Sequence, residues 1–298
     1  MINPPRVSVI MNCHNGSKYL TQAIESVIQQ TYPHWEIIFW DNRSTDLSAR
    51  IIKSFQDPRI RYFLSESHTK LSVARNAAIK ESSGELIAFL DVDDWWEPQK
   101  LERQVPQFQD DTVGLACSNY WILDERISNI KLAYSSSIPS GHQLGELLRK
   151  YTVALPTLVI RKSLLNGSKL PFNPAYHIIG DFDLVIRLSA QAKVARVNEP
   201  LATYRIHGLN ESVIKFDLQA SEILDWVEKN SGLPPIGENS NFPLVSSNLY
   251  FNLGLNARRR GDIQASFSAL RKISNFKRKF ILLACLLLPL RVLNRKYL

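Results

Sequence analysis

The 298-residue sequence predicts an α/β fold, strands alternating with helices in one layer, followed by a helical extension. Three features carry that expectation. Four short apolar runs, at residues 7–11, 36–40, 60–64 and 85–90, are rich in Ile, Val, Phe or Trp, and such unbroken runs fit strands buried on both faces. Each gives way to a polar residue: Asn12, Asp41, Ser65 and Asp91. After residue 215 the patterning is helical only.

The first run leads into residues 19–28, where Tyr19, Leu20, Ala23, Ile24, Val27 and Ile28 line one face at the helix period and Pro33 lies beyond the end. Residues 71–80 form a second such stretch, closed by Ser82-Ser83-Gly84. Strands alternating with helices imply a doubly wound layer. Ligands of such layers bind at the carboxyl ends of the strands, where the polar residues just named fall. From about residue 98 the pattern mixes. Pro98 opens a helix to Phe108, residues 113–122 read as a strand, and 155–160 is another apolar run. Residues 135–141 (Ser-Ser-Ser-Ile-Pro-Ser-Gly) read as a loop long enough to form a mobile flap over the site. A helix starts right after Asp181, and 194–206 is extended. Residues 218–229, 245–260 and 262–273 then read as helices. Leu253, Gly254, Gly261, Ala265, Phe267 and Ala269 resemble a single tetratricopeptide-type hairpin; with one copy, an ordinary helical hairpin is the better reading.

The net charge of +8 is unevenly spread. Residues 256–298 hold eleven Lys or Arg and one acid, Asp262, which leaves 25 basic and 27 acidic residues for the first 255. A near-neutral body with a basic, partly apolar end fits an anionic membrane surface rather than a nucleic-acid-binding face. Cys13, Cys117 and Cys285 are far apart and lack C-x-x-C spacing, which argues against a disulfide framework or a zinc site and for a reducing compartment. The N-terminus carries no signal-peptide pattern, so the expected location is cytoplasmic.

Asp91-Val92-Asp93-Asp94 follows the fourth apolar run directly. Extended geometry puts Asp91 and Asp93 on the same side of the chain. Two carboxylates leaving a buried strand need a cation or hydrogen-bond donors to satisfy them. Hard oxygen ligands of this kind suit Mn²⁺ or Mg²⁺ rather than zinc, and such an ion would bridge the oxygens of a diphosphate. The other reading is a solvated acidic turn, because D-x-D triplets are common.

Five blocks resemble the family 2 inverting glycosyltransferases. They are Val7-Ser8-Val9-Ile10-Met11-Asn12-Cys13-His14-Asn15-Gly16, Ala23-Ile24-Glu25-Ser26-Val27-Ile28-Gln29-Gln30-Thr31-Tyr32-Pro33, Glu36-Ile37-Ile38-Phe39-Trp40-Asp41-Asn42-Arg43-Ser44-Thr45-Asp46, Ala74-Arg75-Asn76 and Gly84-Glu85-Leu86-Ile87-Ala88-Phe89-Leu90-Asp91-Val92-Asp93-Asp94. They occur in the family's order and spacing over roughly residues 6–105. The resemblance thins through Gly180-Asp181-Phe182-Asp183-Leu184 and Tyr204-Arg205-Ile206-His207 and stops at about 215. It implies a GT-A fold, a Rossmann-like mixed sheet flanked by helices, in a domain of residues 1–215. Residues 1–105 would be its nucleotide-binding half and 106–215 its acceptor half, with 216–298 as a helical extension.

The resemblance also implies an inverting transfer of a sugar from a nucleoside-diphosphate donor, UDP- or GDP-linked, to a hydroxyl of a lipid-linked or saccharide acceptor of the cell envelope. Asp41 falls where the family contacts the nucleobase, Arg75 where it contacts the nucleotide, and Asp91 at the ribose-side carboxylate; Asn12 and Asn15, in the first block, are placed at the nucleotide with them. Asp93 falls at the direct metal ligand, Asp181 at the general base, and His207 in a block that approaches the diphosphate or the metal. Two departures stand out. Asp41-Asn42-Arg43 replaces the common Asp-Asp-Gly, which bears on base selectivity, and Gly180 stands where Glu is common before the catalytic Asp.

Each role has a structural counterpart. Asp181 before a helix is equally an N-cap, and Asp183 is a fallback base. Arg75 is equally a surface helix residue and His207 a structural or solvated one. Trp95 and Trp96 either stack on a sugar or anchor the loop. Residues 280–290 form a nearly unbroken apolar segment that as a helix would reach only about 16 Å, too short for roughly 30 Å of hydrocarbon. Basic residues flank it, so 277–298 either lies on the inner face of the plasma membrane or docks on its own domain. Two further readings differ in class. A nucleotidyltransferase would need a Gly-rich basic loop, and residues 12–18 offer one Gly and one Lys. A non-catalytic scaffold fits poorly with Asp41, Asp91, Asp93 and Asp181 all being present.

Overall fold

The computed structural model describes residues 4–166 and 170–287. The four apolar runs are strands β1 (Val7–Cys13), β2 (Trp35–Asp41), β3 (Ile60–Leu64) and β4 (Leu86–Phe89), parallel and side by side in the order β3-β2-β1-β4. Parallel neighbours need crossovers, supplied by helices α1 (Ser17–Ile28), α2 (Ser48–Ser54) and α3 (Leu71–Lys80). Strand β1 is buried along its whole length, which explains its continuous apolar character.

The second half adds β5 (Trp95–Trp96), α4 (Lys100–Gln104), β6 (Val113–Asp124), β7 (Asn129–Leu132), α5 (Leu144–Arg149), β8 (Val159–Arg161), α6 (Gly180–Ser189), β9 (Lys193–Ile206) and α7 (Glu211–Ile214). Strand β8 runs antiparallel to β4 and β6, β9 runs parallel to β6, and the sheet ends at β5, with β7 paired to the free length of β6. The result is a mixed sheet flanked by helices.

Several local expectations are corrected. The helix expected from Pro98 to Phe108 is an α-helical turn that hands over to a 3-10 helix, Val105–Gln109, where Pro106 has no N–H to continue the α pattern. Residues 155–160 divide likewise into a 3-10 helix, Leu155–Thr157, and β8. The stretch 135–141 is laid along β9 instead of standing free as a flap. Gly141 and Val194 exchange backbone hydrogen bonds, Ser140 Oγ accepts from Arg196 N, and Ile138 N donates to Asn198 Oδ1. Helix α6 starts one residue before Asp181 with Ile179 at its N-cap, so Asp181 is not the cap.

Two compact units result. One comprises Met1–Gln143 and Thr152–Lys215, the other Leu144–Tyr151 and Phe216–Leu298. The second contains α5, α8 (Phe216–Asn230), α9 (Pro243–Arg259), α10 (Ile263–Lys272) and α11 (Phe276–Leu287). Helix α5 joins it through Asn241 and Asn248, whose amides donate to the carbonyls of Gly145 and Arg149. Helices α9 and α10 form one hairpin, turned at Gly261 with φ 81° and capped by Asp262, which accepts from Ala265 N. Helix α11 closes on α9 at Gly254, where a Cβ would stand 2.5 Å from Leu282.

Helix starts around the carboxyl ends of β1 and β2 are tied by Asp46. Its carboxylate accepts from Ser17 N at 2.9 Å, where α1 begins, and from Ser48 N at 2.9 Å, where α2 begins. One anion therefore satisfies free N–H groups of two helices. Desolvation pushes its pKa up, but the hydrogen bonds from Ser48 and Ser17 outweigh that and bring it to about 2. A carboxylate so depressed stabilises the fold above its ordinary pKa and loses that contribution as pH falls. Asp46→Ala is expected to cost about 1–2 kcal/mol in urea unfolding at pH 7, a cap-sized loss, with the gap from the parent closing as pH falls toward about 2.

Candidate active site

The carboxyl ends of β1, β2 and β4 place Asn12, Asp41 and Asp91 along one rim of the sheet. A hydrogen bond from Leu90 N to Ile10 O carries the pairing with β1 one residue past β4, and Asp91-Val92-Asp93-Asp94 turns away from there, closed by Asp94 N donating to Asp91 O. Three carboxyl groups thus leave a buried strand within four residues. Burial, and then the charge of Asp91, hold Asp93 above the ordinary carboxylate pKa. Buried Asp94 is raised well above it by desolvation and by both neighbouring carboxylates.

Each of these acids meets a different part of the chain. Asp91 pairs with Arg75 of α3, Nη2 to Oδ1 at 2.8 Å. Asp93 Oδ2 meets His207 Nε2 at 3.0 Å and the amide of Asn210 at 3.4 Å. Leu209 N donates to His207 Nδ1 at 3.1 Å, so that nitrogen is an acceptor and the ring proton sits on Nε2, donated to Asp93. The His207 ring stacks on Tyr19, centroids 5.3 Å apart. Asp94 Oδ1 accepts from Arg205 N at 2.8 Å, while its Oδ2 has no partner among the described residues.

Asp181 joins this group electrostatically. Part of its surface is open, yet desolvation by the surrounding protein raises its carboxyl, with Arg75 pulling it down and Asp91 pushing it up. The segment before it is docked by the neighbour of Arg75: Asn76 donates to Phe172 O at 2.7 Å and accepts from Phe172 N at 2.8 Å. The Phe172 ring lies under the Arg75 guanidinium and edge-on to Phe89. Asp183, the fallback base, is buried and paired with Arg187 at 2.9 Å, which removes it from the site's chemistry.

The remaining sequence candidates divide. Asp41 is buried, its two oxygens engaged by Ser44 N at 2.7 Å and the Tyr62 hydroxyl at 2.9 Å; burial and that bond push the Tyr62 phenol up to about 12. Asn15 is a clasp, its amide oxygen accepting from Thr45 N and Asp46 N. Asn12 is buried and its amide nitrogen has no partner among the described residues, leaving a donor free at the end of β1. Trp96 anchors the core through Nε1 to Pro156 O at 2.8 Å, while Trp95 lies against Arg205.

Arg205 is the residue that sequence reasoning missed. Its Nε donates to Asp93 O at 2.7 Å and its Nη2 to Gln22 at 2.6 Å, its Nη1 pairs with Glu125, and the guanidinium lies between the Tyr19 and Trp95 rings. The available signal was the block Tyr204-Arg205-Ile206-His207, in which Arg205 lies near the end of β9 and His207 is the first residue beyond it. Among the described residues no three carboxylate, imidazole or thiolate side chains converge into a metal-holding group. Asp93 and His207 do come together, and Asp91 stands two residues away on Arg75.

A parallel half, a mixed half and carboxylates at the junction fit the GT-A fold, the architecture of nucleotide-sugar transferases. A mannosyltransferase from Pyrobaculum calidifontis, solved with GDP-Man and Mn²⁺, superposes with a TM-score of 0.64 over 95% of this chain and 80% of its own, at 16% identity, a likeness of fold. Residues 8–165 match glycosyl transferase family 2, and the chain belongs to that family. Relatives include an Escherichia coli UDP-Glc:alpha-D-GlcNAc-diphosphoundecaprenol beta-1,3-glucosyltransferase, 33% identical over 56% of this chain and 64% of its own length. A putative teichuronic acid biosynthesis glycosyltransferase of Bacillus subtilis is 29% identical over 70% of this chain and 81% of its own. The chain thus spans just under two thirds of the Escherichia coli relative.

A carboxyl whose folded pKa is raised favours folding below its ordinary pKa and loses that contribution as pH rises, because ionisation is then easier in the unfolded chain. Asp94→Asn removes the charge but keeps the acceptor for Arg205 N. In metal-free buffer at pH 8 it is expected to raise Tm by about 2–4 °C, the equivalent of roughly 1 kcal/mol, with the gain vanishing near pH 3. A lowered Tm at pH 8 would show that the Asp94 charge is stabilising.

Proposed function

We propose that the chain is an inverting glycosyltransferase that moves one sugar from a nucleoside-diphosphate donor, UDP- or GDP-linked, to a hydroxyl of a lipid-linked or saccharide acceptor. The pathway is cell-envelope polysaccharide or glycolipid synthesis, and the place of action is the cytoplasmic face of the plasma membrane. The observation that supports it most is the meeting of Arg75, Asp91, Asp93, His207 and Asp181 at the sheet rim. The names of relatives point the same way, with a UDP-glucose donor and a diphosphoundecaprenol acceptor in one and GDP-Man with Mn²⁺ in another.

Asp181 is the base. Its raised pKa makes it a stronger proton acceptor than an ordinary carboxylate, suited to take the acceptor hydroxyl's proton as that oxygen attacks the anomeric carbon. The bond to the nucleoside diphosphate breaks on the opposite face, so the configuration inverts. Asn12 offers its free amide donor to the nucleotide, and Arg75 sets Asp91 beside it. Asp41 and Asn15 shape the nucleotide loops through their internal bonds. The residues fit a hard dication. Asp93, with Asp91 nearby, would hold Mg²⁺ or Mn²⁺, the donor phosphates and water completing the set, since such ions take few protein ligands. The ion, when bound, supplies neutralisation of charge on the departing diphosphate. His207 acts through its bond to Asp93; to become a ligand through Nε2 it would have to give up that proton.

Turnover of a panel of UDP- and GDP-sugars, with and without Mn²⁺, tests the reading. Asp181→Asn is expected to lower kcat about 10²–10⁴-fold with donor affinity unchanged, and the parent's activity should rise with pH through a pKa above that of an ordinary Asp. Metal-independent turnover, or full activity in Asp181→Asn, would refute it. Arg205→Met is expected to raise the half-saturating Mn²⁺ concentration about 10–100-fold, more than its effect on metal-free nucleotide binding, because it braces the turn that carries Asp93.

A further inference from the structure

Helix α11 has two apolar faces. Leu282 and Cys285 point inward, 0% and 2% exposed, and form a small core with Phe251, Leu255, Leu270 and Ile273 of the same helical unit. On the other side Phe276, Phe280, Leu283 and Leu287 are 82%, 63%, 40% and 80% exposed. They are spaced four, three and four residues apart, which at 3.6 residues per turn makes one continuous stripe along the helix. Lys277 and Lys279 are exposed at its first turn, one on each side of the stripe. Four large apolar side chains in a row form a patch that water covers at a cost, and something of matching chemistry is needed to cover it.

Charge decides which. The last 43 residues carry eleven Lys or Arg against one acid, Asp262, and that acid is used as the cap of α10. Two copies meeting through this stripe would bring Lys277 and Lys279 against their own kind. A surface that is apolar beneath and anionic above accepts both the stripe and the lysines. We infer that α11 docks in the plane of an anionic phospholipid bilayer, Phe276, Phe280, Leu283 and Leu287 entering the acyl boundary and Lys277 and Lys279 staying at the headgroups. The helix lies on the surface: no described helix is long and apolar enough to cross a membrane. Mobile acceptors embedded in that bilayer then share a plane with the enzyme. This inference gives a physical basis to the peripheral placement proposed above and stands apart from the transfer chemistry.

Sedimentation of the full chain with vesicles of phosphatidylcholine, alone or with phosphatidylglycerol, tests it. The parent chain is expected to bind the mixed vesicles and not the neutral ones, and less as salt rises. Phe280→Ser with Leu283→Ser should weaken binding roughly 100-fold. Lys277→Gln with Lys279→Gln should weaken it about 30-fold. All four positions are exposed, so thermal unfolding and Mn²⁺-dependent donor hydrolysis should stay as in the parent. The inference falls if the parent ignores phosphatidylglycerol vesicles, or if the serine variant binds them as the parent does. It falls equally if the parent sediments as a dimer in buffer that the serine variant dissociates, because a second copy then covers the stripe. Loss of donor hydrolysis in the parent would instead strike the transferase reading and leave vesicle binding as a separate result.

Discussion

Mutual repulsion among Asp91, Asp93 and Asp94 at the end of a buried strand is the constraint around which the first unit is arranged. A charge taken out of water without a partner is costly, and three like charges within four residues multiply that cost. The chain meets it from three directions: Arg75 from α3, the Arg205 backbone from β9, and His207 with Asn210 from the segment after β9. The compensation is incomplete. Arg205 spends its guanidinium on Glu125, Gln22 and a carbonyl, and His207 meets Asp93 from an Nε2–H that donates whether or not the ring is charged. Burial, and then the neighbouring carboxylates, outweigh what His207 lends to Asp93 and Arg205 lends to Asp94, so both carboxyls stay above the ordinary range. Carboxyls that burial and repulsion keep from ionising freely, beside an Asn12 amide nitrogen with no partner among the described residues, are groups that a dication carrying an anionic ligand would satisfy.

The parts of this arrangement that were legible in the sequence are those set by local pattern. Residues 60–64 and 71–80 were bounded correctly because a short apolar run closed by a polar residue and an amphipathic crossover helix can each be recognised without a partner, although β3 lies at the sheet edge and is only half-buried rather than covered on both faces. Where proline interrupts, at Pro106 and Pro156, a single apolar period concealed two conformations. The cap role of Asp181 failed by two residues, since Ile179 has no capping side chain to mark the true start of α6.

What remained hidden is partnership across distance. Nothing near Arg205 announces that its Nε will reach the carbonyl of Asp93, 112 residues earlier, and nothing near Asn76 announces the backbone of Phe172. The Ala-Arg-Asn block acquires a physical meaning only in three dimensions: Arg75 holds the carboxylate of Asp91 while Asn76 holds the backbone of Phe172 ahead of Asp181, so one turn of α3 ties both segments. Asp41 and Asn15 show the converse. The resemblance places them at the nucleotide, but their polar atoms are already bonded to the loops that carry them. Asn12 differs from them in that its buried amide nitrogen has no partner among the described residues.

The C-terminal segment was ambiguous in sequence for a reason the structure makes plain. Docking on the helical unit and meeting a bilayer both demand an apolar helix, and the choice between them assumes a single apolar face. Helix α11 has two. Gly254 lets Leu282 approach the α9 backbone closely, and that contact consumes one side of the helix. The opposite side, with its row of phenylalanine and leucine, gains nothing from the fold and would be a liability for a chain meant to stay in water. A helix held firmly by one face presents the other as a rigid edge, so insertion would not have to meet the entropy of folding a free peptide at the membrane. The same dozen residues can then satisfy both readings at once.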